Sequence, residues 1–171
     1  MTITIRRLLP ADDRTAFASG DIDLDRFFVR YAGQNQFRHH VGITYVALDE
    51  PNLIVGYATI TASEIATTFL SDRLQRRLPA YPVPVLRLAR LAVDARAQGR
   101  GIGGELLRAV FGLARKMADD FGCAGVAVDA KPTAVSFYRT LGFAVLGTEL
   151  GALGDRPEPI PMFLELGAFP R

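Results

Sequence analysis

The chain has 171 residues, 49% of them apolar and 22% charged, and its formal net charge is +2 at neutral pH. This length and apolar fraction predict a single globular domain over residues 1–171 and exclude a disordered or fibrous chain. One cysteine, Cys123, excludes an internal disulfide. No run approaches the ~18 apolar residues of a membrane span, and Met1–Arg7 lacks the features of a secretory signal. We therefore expect a cytoplasmic protein with no membrane partner.

Apolar periodicity and turn residues predict an α/β chain. In its first part the predicted elements are a strand over Ile3–Leu9, a short helix capped by Asp12 or Asp13 and ending at Phe17, a helix over Asp21–Ala32, a loop over Gly33–Gly42, and hairpin strands over Thr44–Leu48 and Leu53–Ile65. The adjacent His39 and His40 lack further ligands at metal-binding spacing, so we expect surface residues and no metal site.

The rest of the chain alternates helices and strands. Its predicted elements are a short helix capped by Ser71 and ending at Leu78, a strand that begins at Leu86, a helix over Gly101–Phe121 ended by Gly122, a strand over Gly125–Ala130, a helix over Thr133–Leu141 closed by Gly142, and strands over Ala144–Leu150 and Pro161–Leu166. We expect the hairpin to lie beside the Leu86 strand at the centre of the sheet.

A glycine-rich turn joins the Leu86 strand to the helix that follows. The turn has the sequence Gln98-Gly-Arg-Gly-Ile-Gly-Gly104, and apolar residues at helical spacing begin at Leu106. Glycines let the backbone approach a ligand closely, and the unpaired amides of a helix N-terminus attract anions. Arg96 and Arg100 add formal positive charge. The turn therefore predicts a site for a diphosphate.

Three interpretations of this turn compete. It is a plain connection, or it is a dinucleotide-binding turn, since Gly99, Gly101 and Gly104 fit G-x-G-x-x-G. Asp129 lies roughly where a ribose-binding acid would follow, but Asp94–Gln98 separates the strand from the first glycine, unlike a dinucleotide turn. A P-loop is excluded because no Gly-Lys-Ser/Thr follows. The third interpretation is a site for acetyl-CoA.

Two motifs carry a resemblance to a known family. Gln98-x-x-Gly101-x-Gly103 resembles the pyrophosphate-binding Q/R-x-x-G-x-G/A motif of GNAT-type acetyltransferases, and Phe137-Tyr-Arg-Thr-Leu-Gly-Phe143 resembles that family's F-Y-x-x-x-G-F signature. The order of predicted elements also matches over nearly the whole chain. The resemblance implies the GNAT fold, a mixed and mostly antiparallel central sheet flanked by helices, with the phosphate loop between the central strand and a helix.

Within this family the chain looks most like the GNAT toxins of type II toxin–antitoxin systems, which acetylate the amino acid on charged tRNA. The likeness rests on Phe17-Ala-Ser-Gly20, Leu24-Asp-Arg-Phe27, Thr44-Tyr-Val-Ala47, Gly56-Tyr-Ala-Thr59, Arg90-Leu-Ala-Val-Asp94 and Val128-Asp-Ala-Lys131. Lys131 departs from the asparagine of many other GNAT enzymes, which fits the toxin branch. The resemblance implies an acetyl-CoA-dependent N-acetyltransferase that blocks translation, with charged tRNA as acceptor, a small ribbon-helix-helix DNA-binding antitoxin as partner, and a homodimer.

The resemblance also implies roles for individual residues. Tyr138 is the implied general acid that protonates the departing sulfur of CoA. The implied acetyl-CoA contacts are Leu91, Ala92, Val93, Gln98, Gly99, Arg100, Gly101, Ile102, Gly103 and Gly104. The residues alone favour a core aromatic at Tyr138 whose hydroxyl reaches a carbonyl, and Glu64 is either a general base or an exposed acid at a strand end.

Basic residues cluster before and within the glycine-rich turn. Between positions 73 and 100 seven arginines stand against one acid. The planar fork of arginine suits phosphates, so the cluster predicts a polyanionic partner, with Arg76, Arg77 and Arg90 as tRNA contacts. A solvated arginine-rich surface is the alternative. Three further functions stay open, namely acetylation of a small amine or protein N-terminus, non-catalytic binding of acyl-CoA, and binding of an antitoxin and operator DNA with catalysis blocked in the complex.

Overall fold

A computed structural model describes residues 2–147 and 159–170. Its strands are β1 (Thr4–Arg7), β2 (Ile43–Asp49), β3 (Leu53–Ile65), β4 (Val83–Val93), β5 (Gly125–Ala130), β6 (Ala144–Val145) and β7 (Ile160–Glu165). They form one sheet in the order β1-β2-β3-β4-β5-β7-β6. The pairs β1–β2, β2–β3, β5–β7 and β6–β7 are antiparallel. The predicted mostly antiparallel α/β sheet of the GNAT fold is confirmed.

The predicted helices that follow the hairpin are present. The helices of the described chain are α1 (Ile22–Arg26), α2 (Ala32–Gln34), α3 (Asp72–Arg77), α4 (Ile102–Asp120) and α5 (Val135–Thr140), with shorter 3₁₀ and π-helical turns between elements. Ser71 caps α3 by accepting a hydrogen bond from the Leu74 amide, as predicted. Gly122, with φ of +104°, ends α4. The predicted strand Ala144–Leu150 is present as β6, and its last residues lie outside the described chain.

The strands β2 and β3 form an antiparallel hairpin, as predicted. Tyr45 lies opposite Ala58, and the Asn52 amide donates to the Asp49 carbonyl at 2.9 Å to close the predicted turn. In the sheet order β3 is the neighbour of β4, the strand that leads into the glycine-rich turn. The hairpin therefore lies beside the central strand, as expected.

The predicted short helix ending at Phe17 is wrong, because the aspartates expected to cap it bind elsewhere. Asp12 accepts hydrogen bonds from both terminal nitrogens of Arg6, at 2.8 and 2.9 Å. Asp13 accepts hydrogen bonds from the amide and hydroxyl of Thr15. Such local bonds compete with helix formation, and the segment forms turns instead.

The predicted loop over Gly33–Gly42 is also wrong, because the helical path continues through His39. Helix α1, capped by Asp21, runs into a π-helical turn, then α2, then a second π-helical turn. Gly33 does not break the helix. It allows the Arg14 side chain to approach the backbone closely, because a Cβ at this position would lie 2.8 Å from a terminal nitrogen of Arg14. His39 and its neighbour are exposed, as predicted.

Backbone contacts divide the described chain into two compact units. The first contains the residues up to Thr61 together with Leu88–Val110, and in its core Phe28 stacks on Tyr57 with ring centroids 4.4 Å apart. The second contains Ala62–Arg87 and the described residues from 111 onward, with Val85 and Phe163 among its buried side chains. Over the described ranges, none of the helices combines the length and the apolarity needed to cross a bilayer.

Candidate functional site

The glycine-rich turn adopts backbone conformations that glycine tolerates best. After β4 the chain makes one 3₁₀ turn at Ala95–Ala97 and then reaches Gly99 and Gly101, whose φ angles are +81° and +80°. A Cβ on either glycine would meet no atom within 4 Å, so both face open space. These glycines are needed for the path of the backbone and not for close packing.

Helix α4 begins directly after the turn and presents its first amides there. The Glu105 amide donates to the Gly101 carbonyl at 3.1 Å, so the amides of Ile102, Gly103 and Gly104 precede the first bond within the helix. These amides carry the partial positive charge of the helix N-terminus. A Cβ on Gly104 would also meet no atom within 4 Å. The three amides and the open turn together suit the oxygens of a phosphate group.

Asp94 is the buried charge at the start of this turn. Its side chain is 1% exposed, and one carboxylate oxygen accepts from the Arg96 amide at 3.0 Å and Nε at 2.9 Å. The other oxygen accepts from the Ala18 amide at 3.2 Å and Arg96 Nη2 at 3.1 Å. The hydrogen bond from the Arg96 side chain holds the pKa of Asp94 below its ordinary value. Sequence reasoning missed this role, for which the signal was a lone acid within the arginine cluster.

Two side chains expected at the diphosphate are engaged by the protein itself. The carboxamide nitrogen of Gln98 donates to the Ser19 carbonyl at 2.9 Å and to the Val93 carbonyl at 3.0 Å. Arg100 forms an ion pair with Asp49 at 2.9 Å. The contacts of Gln98 and Arg100 with acetyl-CoA stay predictions. In the structure each side chain also contacts another part of the protein, which holds the turn in position.

The end of β4 supplies the other residues implied as acetyl-CoA contacts. Leu91, Ala92 and Val93 are its last three residues, with Ala92 buried and the other two half-buried. Gly56 lies close to them: a Cβ there would lie 3.2 Å from the Ala92 carbonyl oxygen and 3.1 Å from a side-chain carbon of Ile102. Gly56 thus lets the first turn of α4 approach the sheet. This glycine belongs to the motif Gly56-Tyr-Ala-Thr59, but the sequence alone did not predict its role.

Tyr138 lies on α5 in the second unit, with its ring buried and only 5% of the residue exposed. The ring packs edge-on against Phe137 and Phe143, with centroids 5.2 and 5.4 Å away. Burial raises the pKa of the Tyr138 phenol above its ordinary value. Every fully buried polar side-chain atom of the described residues has a hydrogen-bond partner. The Tyr138 hydroxyl makes no hydrogen bond among the described residues, and the raised pKa keeps it a protonated donor.

A cavity of about 510 Å³ opens in the second unit. Its walls include the apolar side chains of Phe69 and Met162 together with three charged side chains, those of Glu64, Arg87 and Asp129. Arg87 and Asp129 form an ion pair at 3.1 Å, whereas Glu64 is exposed at the end of β3. A cavity of this size holds a small organic group such as an amino acid.

Carboxylates neutralise much of the arginine cluster. The ion pairs join Arg73 and Arg77 to Glu165, Arg87 to Asp129, Arg96 to Asp94, and Arg100 to Asp49. Of the predicted tRNA contacts, Arg76 is exposed, and its Nε donates to the Asp72 carbonyl at 3.3 Å. The guanidinium of Arg90 lies 3.7 Å from the centroid of the Phe27 ring, a cation–π contact. A charge counted along the sequence therefore overstates the positive charge of this surface.

Comparison with known proteins gives a match to a family model and to named relatives. The model of the acetyltransferase (GNAT) domain matches residues 40–145. A tRNA-acetylating toxin of Mycobacterium tuberculosis is 34% identical over 145 residues, covering 84% of this chain and 86% of the relative.

Two solved structures extend the likeness to the whole described fold. AtaT complexed with acetyl-methionyl-tRNAfMet has a TM-score of 0.83 at 25% identity, covering 98% of this chain and 96% of that one. AtaTR bound with AcCoA has a TM-score of 0.78 at 25% identity, covering 97% and 95%. The glycine-rich turn and the buried tyrosine thus lie in a chain that resembles acetyl-transferring proteins along nearly its full length.

Proposed function

Because the chain belongs to the GNAT acetyltransferase family, we propose that it transfers the acetyl group of acetyl-CoA to the amino group of aminoacyl-tRNA and thereby blocks translation as a toxin. The observation that carries the proposal is the open glycine-rich turn at the N-terminus of α4 in a chain 34% identical to a tRNA-acetylating toxin. N-acetyl transfer is the activity of the family. The charged-tRNA acceptor is the specific part of the proposal.

The diphosphate of acetyl-CoA binds at the turn in this proposal. The amides of Ile102, Gly103 and Gly104 donate to its oxygens, and Gly99 and Gly101 allow the close approach. The amides at Leu91–Val93 meet the pantetheine arm and the thioester carbonyl. Fixed donors of this kind stabilise a developing oxyanion with little reorganisation.

The proposed reaction needs one bond to form and one to break. The neutral amine nitrogen attacks the thioester carbon, and the carbonyl oxygen takes the negative charge of the tetrahedral intermediate. The C–S bond then breaks as the carbonyl reforms, and the sulfur takes a proton from the Tyr138 hydroxyl. The amine gives up its extra proton to solvent, and the Tyr138 phenolate takes a proton back from solvent to complete the cycle. Burial keeps the phenol protonated, so it can donate a hydrogen bond as charge grows on the sulfur.

The cavity lined by Glu64 and Met162 is the proposed place for the acceptor amino acid. Its mixed lining gives apolar surface for a side chain and a carboxylate, that of Glu64, that attracts an ammonium group. The ion pair of Arg87 and Asp129 leaves Glu64 as the unbalanced charge among the lining groups. A single excess carboxylate fits an amino acid ester better than a polycationic amine, which would need several.

The tRNA itself is proposed to contact Arg76, Arg77 and Arg90. Arg76 is the best placed of the three, because its exposed guanidinium makes no ion pair with a described residue. Arg77 shares Glu165 with a neighbouring arginine, so a phosphate would replace part of an existing ion pair. The RNA contact should weaken steeply with salt, since each neutralised phosphate releases counterions.

The remaining partners follow from the toxin assignment. We propose a small antitoxin of the ribbon-helix-helix DNA-binding type, a homodimer, and action in the cytoplasm. Support comes from the relative named a tRNA-acetylating toxin.

Gly104→Asp tests the diphosphate site. A carboxylate in the first turn of a helix is favourable for folding, but it would repel a bound diphosphate. We expect calorimetry to show acetyl-CoA binding weakened roughly tenfold or more. Gly112→Asp is the matched control, because its Cβ also meets open space on α4 and it lies about 12 Å further along the helix, beyond the ~10 Å screening length. Equal affinity in the two folded variants would remove the diphosphate from this turn.

Tyr138→Phe tests the general acid. The variant keeps the ring that packs against Phe143 and removes only the hydroxyl. Turnover should fall by ~10²–10⁴-fold while acetyl-CoA binding stays near that of the wild type. Single-turnover kinetics with saturating acetyl-CoA measure this. A variant that turns over as fast as the wild type would leave Tyr138 with a packing role only.

A label-transfer experiment tests the acceptor. Purified protein and radiolabelled acetyl-CoA are offered charged tRNA, uncharged tRNA, a polyamine and a peptide in parallel. We expect label on charged tRNA alone. Label on the polyamine or the peptide, with none on charged tRNA, would instead support the small-amine or protein N-terminal acetyltransferase. Absence of any transfer despite tight acetyl-CoA binding would support a non-catalytic module.

A further inference from the structure

The start of the glycine-rich turn is hydrogen-bonded to a distant turn of the chain, Ala18–Ser19. The Ala18 amide donates to the Asp94 carboxylate at 3.2 Å, and the Ala95 amide donates back to the Ala18 carbonyl at 2.8 Å. The carboxamide of Gln98 donates to the next carbonyl, that of Ser19, at 2.9 Å. Three polar contacts therefore join two successive residues to the segment that precedes the glycines.

The Ala18–Ser19 turn is itself held by helix α1. Asp25 accepts hydrogen bonds from the Ser19 amide at 2.9 Å and from its hydroxyl at 2.6 Å, through a single oxygen. The Ser19 hydroxyl oxygen also accepts from the Asp21 amide at 3.1 Å, at the N-cap of the helix. Ser19 and Asp25 both belong to motifs that carry the likeness to GNAT toxins, yet neither has a role in the proposed reaction.

Beyond Gln98 the glycine-rich turn is held by a side-chain contact, the ion pair of Arg100 with Asp49. Around Gly99 and Gly101 there is open space. Their φ angles are positive, and glycine changes readily from such a conformation to another. The start of the turn, where Ala97 is buried and the hydrogen bonds lie, therefore helps to hold the glycines in one conformation. When a ligand binds only one conformation, its apparent affinity is reduced by the same factor as the fraction of molecules that adopt that conformation.

We propose that Ser19 and Asp25 are positioning residues for acetyl-CoA: with Asp94 and Gln98 they form a hydrogen-bond clamp that holds the glycine-rich turn in the conformation that receives the diphosphate. The inference rests on the proposed acetyl-CoA site and is independent of the tRNA acceptor. The clamp gives the polar residues Ser19, Asp21 and Asp25 a function without requiring any of them to touch the ligand.

Ser19→Ala and Asp25→Ala test the clamp by calorimetry, which needs no acceptor. Each variant loses contacts to the Ser19 turn, so acetyl-CoA affinity should fall about tenfold, the scale of one or two lost hydrogen bonds. S-acetyl-pantetheine lacks the diphosphate and the nucleotide, so its binding does not depend on the diphosphate-binding conformation of the turn. Its affinity should stay within about twofold of the wild type. A general folding defect would weaken both ligands together.

Asp23→Ala is the matched control, since it removes the same charge from the same helix and, among the described residues, its carboxylate pairs only with Arg26, at 3.7 Å. It should leave acetyl-CoA affinity unchanged or slightly raised, because an acid has been removed. Asp25→Asn keeps an acceptor oxygen and should restore most of the affinity. Equal loss for both ligands, or no loss in Ser19→Ala and Asp25→Ala, would overturn the clamp. A wild type that fails to bind acetyl-CoA would instead refute the proposed function.

Discussion

The buried carboxylate of Asp94 is the interaction on which the shape of the glycine-rich turn depends. Burying a charge is costly unless hydrogen bonds replace its hydration, and here both oxygens are occupied by amides and by the Arg96 guanidinium. Those bonds fix the backbone between the end of β4 and Ala97. The glycines beyond them then need only permissive backbone geometry, because the first amides of α4 supply the donors.

Ion pairing decides how much of the positive charge is available to a ligand. Five of the seven arginines between positions 73 and 100 pair with carboxylates; Arg96 pairs with Asp94 of the same segment, and the other four pair with carboxylates from other parts of the chain. The potential at the anion site therefore comes largely from backbone amides, whose positions do not depend on flexible side chains. In α3, Arg76 makes no ion pair with a described residue, so its positive charge is available to a partner that binds from solution.

The sequence was sufficient wherever local chemistry determines structure, as in the Ser71 cap, the hairpin turn and the glycine-rich turn before α4. Prediction from the sequence failed where contacts between residues far apart in the chain determine the local structure. The segment around Gly33 is helical, and its glycine leaves room for the Arg14 guanidinium instead of breaking the helix. The segment before Phe17 is not helical because Arg6 binds Asp12. The partners of the arginines and the buried state of Asp94 likewise follow from tertiary contacts, which no spacing along the chain reveals.

The most direct test of the account is to locate the transferred acetyl group. Charged tRNA is incubated with the protein and acetyl-CoA, digested to nucleosides, and analysed by mass spectrometry for the 3′-terminal aminoacyl-adenosine. The account predicts acetyl on the α-amino nitrogen of the aminoacyl group, with unmodified nucleobases. Acetyl on a nucleobase, or an unmodified aminoacyl group in a reaction where acetyl-CoA is consumed, would contradict it.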